Sequence, residues 1–152
     1  AQGKLTRWTL DVKTGVIDRH RTLDVASEFP RIDDRFTAVR HRHGYIAAAS
    51  KRAKGDGGLF HELTHFDYET GNAQTWDAGF GNGVSEPVFV EARGDAKEGE
   101  GWLLATVYDH HSSTSSMVIL DAERVEDGPV ATAKLDHRIP YGFHGSWRQK
   151  RR

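Results

Sequence analysis

The chain has 152 residues, a formal net charge of −1 and a pI near 6.8, and its 21 basic and 22 acidic residues are dispersed along it. No basic face is indicated, which argues against nucleic acid as a partner. The absence of cysteine excludes disulfides, thiolate metal sites and a cysteine nucleophile, and it fits a cytoplasmic protein.

Short apolar or alternating runs separated by turn residues predict an all-β protein. The 16 glycines and the near absence of helical periodicity support this class. In chain order, the predicted strands are residues 5–11, 16–24, 45–50, 59–67, 73–77, 87–92, 102–109, 116–121 and 130–136. Turn signals lie between them at residues 13–15, 55–58, 69–71, 79–83 and 98–101.

A weak repeat of hairpins runs through these strands. Asp11, Asp67 and Asp121 each end a strand before a turn and a second strand, and they are 56 and 54 positions apart. A period near 50 in an all-β chain is typical of propeller blades. We expect these aspartates to be structural, because a turn aspartate bonds backbone groups two residues on. Two to three blades do not close a ring, so either the chain is a fragment or several copies assemble.

The apolar stretches are about five residues long, as at residues 45–49, whereas a membrane-spanning helix needs roughly 20. Residues 1–4, Ala-Gln-Gly-Lys, lack a methionine and a signal core, so they resemble mid-chain sequence. We therefore expect no transmembrane segment, while peripheral contact with a membrane stays open.

Four motifs in order resemble the carotenoid oxygenase family, which includes carotenoid-, apocarotenoid- and lignostilbene-cleaving dioxygenases. Residues 27–33 read Ser-Glu-Phe-Pro-Arg-Ile-Asp, and residues 83–90 read Gly-Val-Ser-Glu-Pro-Val-Phe-Val. Residues 101–104 with 118–122 resemble the family's final blade, and residues 139–147 resemble its closing Phe-His-Gly motif. The order and spacing match over residues 5–147, and the segments around 40–45 and 57–59 look most like bacterial members.

The resemblance implies the last two to three blades of a seven-bladed β-propeller, an incomplete ring that needs upstream blades. Residues 1–147 would form this C-terminal part and residues 148–152 a basic tail. It further implies one Fe²⁺ held by four histidines, with O₂ and an apolar conjugated molecule as reactants. The intact enzyme would cleave a C=C bond of a carotenoid, apocarotenoid or stilbene to two carbonyl products, whereas this chain alone would be inactive.

His144 matches the family's fourth iron-ligating histidine, and Glu28 matches a glutamate that accepts a hydrogen bond from another ligating histidine upstream of this chain. For Glu86 we expect a structural role. Phe29, Tyr141 and Phe143 are candidates to line the substrate tunnel, with core packing as the competing interpretation.

The remaining histidines fit other readings better than metal binding. His41 and His43 would share one face of a strand, but the flanking arginines favour a solvent-facing segment. His61 and His65 match the HExxH pattern literally, but that motif needs a helix. On a strand they would lie about 13 Å apart at ~3.3 Å per residue, too far for one ion. The alternatives to the dioxygenase are a non-catalytic propeller binding module and, against this geometric objection, an HExxH metallopeptidase.

Overall fold

The computed structural model describes residues 3–49 and 60–148. Eleven strands and two short 3-10 turns, but no α-helix, occur in these ranges, and no helix there could cross a membrane. The strands are β1 Thr6–Leu10, β2 Ile17–Arg21, β3 Ala26–Arg31, β4 His43–Ala49, β5 Glu62–Asp67, β6 Ala73–Asp77, β7 Asn82–Val84, β8 Val88–Glu91, β9 Gly101–Asp109, β10 Thr114–Asp121 and β11 Pro129–Lys134.

The strands form two antiparallel sheets and a separate hairpin. One sheet has the order β3-β4-β5-β6, and the other has β11-β10-β9 with both β7 and β8 paired along the free side of β9. Strands β7 and β8 therefore act as one edge strand interrupted at residues 85–87, so both sheets are four strands wide. Together with the β1–β2 hairpin, they have the arrangement of successive propeller blades.

All nine predicted strands are confirmed, with ends shifted by a few residues. Strands β3 and β7 were missed, and both are edge strands next to irregular backbone. The turn predicted at residues 55–58, the last residue of the predicted strand 45–50 and the first residue of the predicted strand 59–67 lie outside the described residues. So do residues 149–152, and the basic tail stays a prediction.

The two sheets share one hydrophobic core. Leu63 of β5 is fully buried in the same cluster as Leu103 of β9 and Leu120 of β10. The rings of Tyr45 and Phe89 stack across the sheets, 5.8 Å apart between centroids and 13° from parallel. Burial of each such leucine contributes about 2 kcal/mol. This packing fixes the edge strands β3 and β7/β8 relative to one another.

The turn aspartates are structural, as predicted. Oδ1 of Asp11 accepts hydrogen bonds from the backbone N–H groups of Lys13 and Thr14. Oδ1 of Asp67 accepts the equivalent bonds from Glu69 and Thr70, and Gly71 follows with a φ of 75° that favours glycine. Asp121 caps its turn in the same way.

Candidate functional site

The last described segment, residues 135–148, has no strand and crosses the face of the second sheet that points away from the shared core, from β10 to the gap between β7 and β8. The backbone N–H of Ile139 donates to Oγ of Ser115 at 3.0 Å, and the carbonyl of Gly145 accepts from Nη1 of Arg31 at 3.1 Å. These bonds hold the intervening residues, including His144, over the gap between β7 and β8.

His144 is held by a carboxylate from that gap. Nδ1 of His144 lies 3.2 Å from Oε1 of Glu86, and the N–H of Gly145 donates to Oε2 of Glu86 at 2.8 Å. An ionised carboxylate can only accept, so in a neutral His144 this bond requires the proton on Nδ1 and leaves the lone pair on Nε2. The His144 side chain is 77% exposed and that of Glu86 only 4%, which makes the carboxylate the fixed partner.

Glu86 receives its countercharge from the other sheet. Nη1 of Arg31, at the end of β3, is 3.2 Å from Oε2 of Glu86, and its Nη2 pairs with Asp34. The strand register shifts between Glu28 and Arg31, and this irregularity lets the chain turn toward the second sheet. The ion pair therefore joins the edges of the two blades at the imidazole.

Phe29 supports the His144 ring from the side. Its ring meets the imidazole edge to face, with centroids 6.0 Å apart and an interplanar angle of 88°. Its φ is 59°, in the left-handed region that a bulky residue rarely occupies, and it precedes Pro30. Such strain persists where surrounding contacts demand it, often beside functional groups.

A cavity of about 320 Å³ opens beside His144. Apolar side chains dominate its wall, and the imidazole and the Glu86 carboxylate are also part of it. The larger apolar side chains are Val88, Leu104, Met117, Ile139, Pro140, Phe143 and Trp147. The cavity suits an apolar molecule presented to one imidazole.

The other predicted tunnel residues lie elsewhere. Phe29 is buried and does not line this cavity, while Tyr141 lines a small adjoining crevice. Burial, and then the negative charge of Glu28, raises the pKa of Tyr141. Glu28 itself is solvent-exposed on β3, so its proposed bond to a histidine from another blade stays a prediction.

Sequence analysis did not anticipate the contacts of two residues beside His144. Glu86 was assigned a structural role, yet its carboxylate contacts His144, and Arg31 was assigned none although it pairs with Glu86. The sequence signal for the Glu86 contact was its position directly before Pro87 within a strand-like run. Pro87 has no N–H for the sheet and therefore marks a break, where a side chain can leave the strand alternation.

The solvent-facing interpretation of His43 was wrong. His43 is buried, and its Nδ1 lies 2.9 Å from Nε2 of His65 on the neighbouring strand. Burial, and then the nearby His43, lowers the pKa of His65 to about 4. His65 lies on strand β5 and His61 directly before it, so the helix that an HExxH site needs is absent and the metallopeptidase alternative loses its basis.

Known proteins resemble this chain along almost its whole length. The family described as retinal pigment epithelial membrane protein matches residues 1–149. Lignostilbene-α,β-dioxygenase isozyme III of Sphingomonas paucimobilis is 32% identical over 97% of the chain and 32% of its own length. Apocarotenoid-15,15′-oxygenase of Synechocystis is also 32% identical, over 97% of the chain and 30% of its own length.

A solved structure shares the fold. The cobalt-substituted apocarotenoid oxygenase of Synechocystis superposes with a TM-score of 0.89 at 31% identity, over 98% of this chain and 31% of that one. The predicted blades of a seven-bladed β-propeller are thereby confirmed. The chain spans about a third of the length of the relatives it matches.

His144 and its neighbours have the arrangement expected of a metal-binding histidine. A histidine that binds a metal commonly donates its second ring N–H to a carboxylate, which fixes the tautomer. His144 has that partner in Glu86, and its other ring nitrogen keeps the lone pair a metal needs.

Proposed function

We propose that this chain, which belongs to the retinal pigment epithelial membrane protein family (the carotenoid oxygenases), forms part of an iron-dependent dioxygenase. The intact protein would use O₂ to split a conjugated C=C bond of a stilbene, apocarotenoid or carotenoid into two carbonyl products. The observation that carries this proposal is the bond between His144 and the buried Glu86 beside an apolar cavity. We place the protein in the cytoplasm.

His144 would be the ligand that this chain supplies to a four-histidine Fe²⁺ site. When bound, the iron supplies O₂ activation, chemistry that protein side chains lack. Neutral histidine suits iron as a ligand, and four of them leave its positive charge uncompensated. Glu86 would offset part of that charge while keeping the His144 proton on Nδ1. Glu28 would do the same for a histidine of another blade.

The apolar wall would bind the substrate. Phe143, Met117 and Val88 present carbon surface to the cavity and have no ionisable group. An extended conjugated molecule would lose water-exposed apolar area on entering, which favours binding by about 25 cal/mol per Å². The same surface would exclude water from the reacting bond.

The test uses the protein expressed from its complete coding sequence and loaded with Fe²⁺. It is incubated under ¹⁸O₂ with a hydroxylated stilbene and, separately, with an apocarotenal. We expect one of them to give two carbonyl fragments, with ¹⁸O recovered in the products. Bound iron without C=C scission of either compound, or of a carotenoid assayed in the same way, would overturn the proposal.

A second test concerns residues 1–152 alone. One histidine does not hold Fe²⁺ usefully, so we expect the isolated segment to bind no iron at His144 and to cleave neither compound. Its open blade edges should also favour association. If the isolated segment bound one iron per chain and His144→Ala abolished that binding, the segment would be sufficient by itself for iron binding.

A further inference from the structure

A second group of metal-binding side chains lies on the β5–β6 hairpin. His61 directly precedes β5, Glu62 begins it, and Asp77 ends β6. One ligand atom from each residue lies within 4.8 Å of the other two. None of the three residues belongs to the His144 pocket.

The two carboxylates face each other across the hairpin. Glu62 and Asp77 are direct partners in the β5–β6 register, and like charges at such positions destabilise a sheet. Glu62 is only 8% exposed, so water screens its charge poorly. Among residues 3–49 and 60–148, the one ion pair found for Glu62 is to Nε2 of His61, at 3.7 Å. A cation between the carboxylates would remove the repulsion.

The backbone fixes these three residues in place. The N–H of His61 donates to the carbonyl of Ala48 at 3.1 Å, and its carbonyl accepts from Ala78 at 2.9 Å. Oδ1 of Asp77 accepts from the N–H of Gly79 at 2.8 Å, which orients the carboxylate and leaves Oδ2 for another partner. The His61 side chain is 4% exposed. Little ordering would remain to be done when an ion binds.

We propose that His61, Glu62 and Asp77 bind a divalent transition-metal ion, with Zn²⁺ as the best match. Imidazole suits Zn²⁺, and zinc also accepts carboxylate oxygens. Two donors at about 2.1 Å from one ion lie at most about 4.2 Å apart, and the His61–Glu62 distance of 3.7 Å falls inside this span. Because one Asp77 oxygen already lies within 4.8 Å of the other two ligand atoms, only a small shift of its exposed carboxylate is needed to complete the set. The ion pins β5 to β6 and leaves an open position for water.

The test is a Zn²⁺ titration of the complete protein in which His144 and the three histidines proposed to share its iron are all replaced by Ala, so that zinc at the proposed iron site is not counted. Binding is measured by competition with a chromophoric chelator after metal removal. We expect about one tight equivalent of zinc, and about a 10-fold or greater loss of affinity in Glu62→Gln and in Asp77→Asn. Glu69→Gln, in the exposed turn of the same hairpin, is the control and should bind as the parent does.

The thermal midpoint supplies an independent readout, because a ligand that binds only the folded state raises it. Zinc should raise the midpoint of the parent and of Glu69→Gln more than that of Asp77→Asn, whose exposed site tolerates the change. Absence of tight zinc, or equal zinc affinity in Asp77→Asn and the parent, would overturn the proposal. Neither outcome depends on whether the protein cleaves a C=C bond.

Discussion

Nδ1 of His144 lies 3.2 Å from Oε1 of Glu86, although the two residues are 58 positions apart in the chain. One comes from the closing segment and the other from the gap between β7 and β8. The bond sets the tautomer of an otherwise exposed imidazole, and the role proposed for His144 follows from that.

Replacing Glu86 by Gln should weaken iron binding. Glutamine can accept from His144, but its NH₂ would then face the N–H of Gly145 and the guanidinium of Arg31, which are both donors. Loss of a carboxylate behind a metal-binding histidine typically costs 10–100-fold in metal affinity. We expect a drop of about that size, measured by competition with an Fe²⁺ chelator. Glu126→Gln, at an exposed position, is the control, and an equal effect in both variants would refute the prediction.

Arg31→Met should destabilise the protein, because it leaves the buried carboxylate of Glu86 without its cation. Breaking one side of a buried pair costs about 3 kcal/mol. We expect a clear fall in the urea midpoint of unfolding. Arg21→Met removes an arginine from an exposed pair with Asp24 and should change stability by less than about 1 kcal/mol. Equal midpoints for the two variants would show that the Arg31–Glu86 pair does not join the blades.

Stability should fall as the pH drops from about 6.5 toward 4. His65 has a pKa of about 4 in the fold because it is buried, and an ordinary histidine pKa when unfolded. Between these values the unfolded chain binds more protons, so the free energy of unfolding rises with pH. The groups around it are His43, Asp67, Arg42 and Glu123. Over the whole window this histidine accounts for up to about 3 kcal/mol.

The measurement is the urea midpoint as a function of pH. His65→Gln removes the titrating group and should flatten the curve between pH 4 and 6.5. His137→Gln, which alters an exposed histidine, should leave its slope unchanged. A His65→Gln curve as steep as that of the parent would assign the acid sensitivity to other groups.

Sequence patterns predicted the hairpins because alternation and turn chemistry are local. They missed β3, where Glu28 and Pro30 interrupt the apolar alternation and the strand register shifts. They also missed β7, which has three residues and a central glycine. Both strands owe their place to pairing with a neighbour, which a local pattern does not reveal.

The candidate site was likewise predictable only where a local motif marked it. His144 was selected through a motif, whereas its partners Glu86 and Arg31 depend on two edge strands meeting across the core. The burial of His43 likewise depends on a neighbouring strand, because its Nδ1 lies against Nε2 of His65 on β5. The arginines beside His43 in the sequence had instead suggested that its ring faces water. Contacts between distant segments, not local composition, decided these roles.

The most direct test of the iron assignment is the metal content of the complete protein with His144→Ala, set beside His137→Ala. Both proteins are loaded with Fe²⁺ under anaerobic conditions, desalted and analysed by plasma emission spectroscopy. Our interpretation predicts about one iron per chain in His137→Ala and at least a 10-fold lower content in His144→Ala. Equal iron in the two variants would contradict the claim that His144 is a ligand.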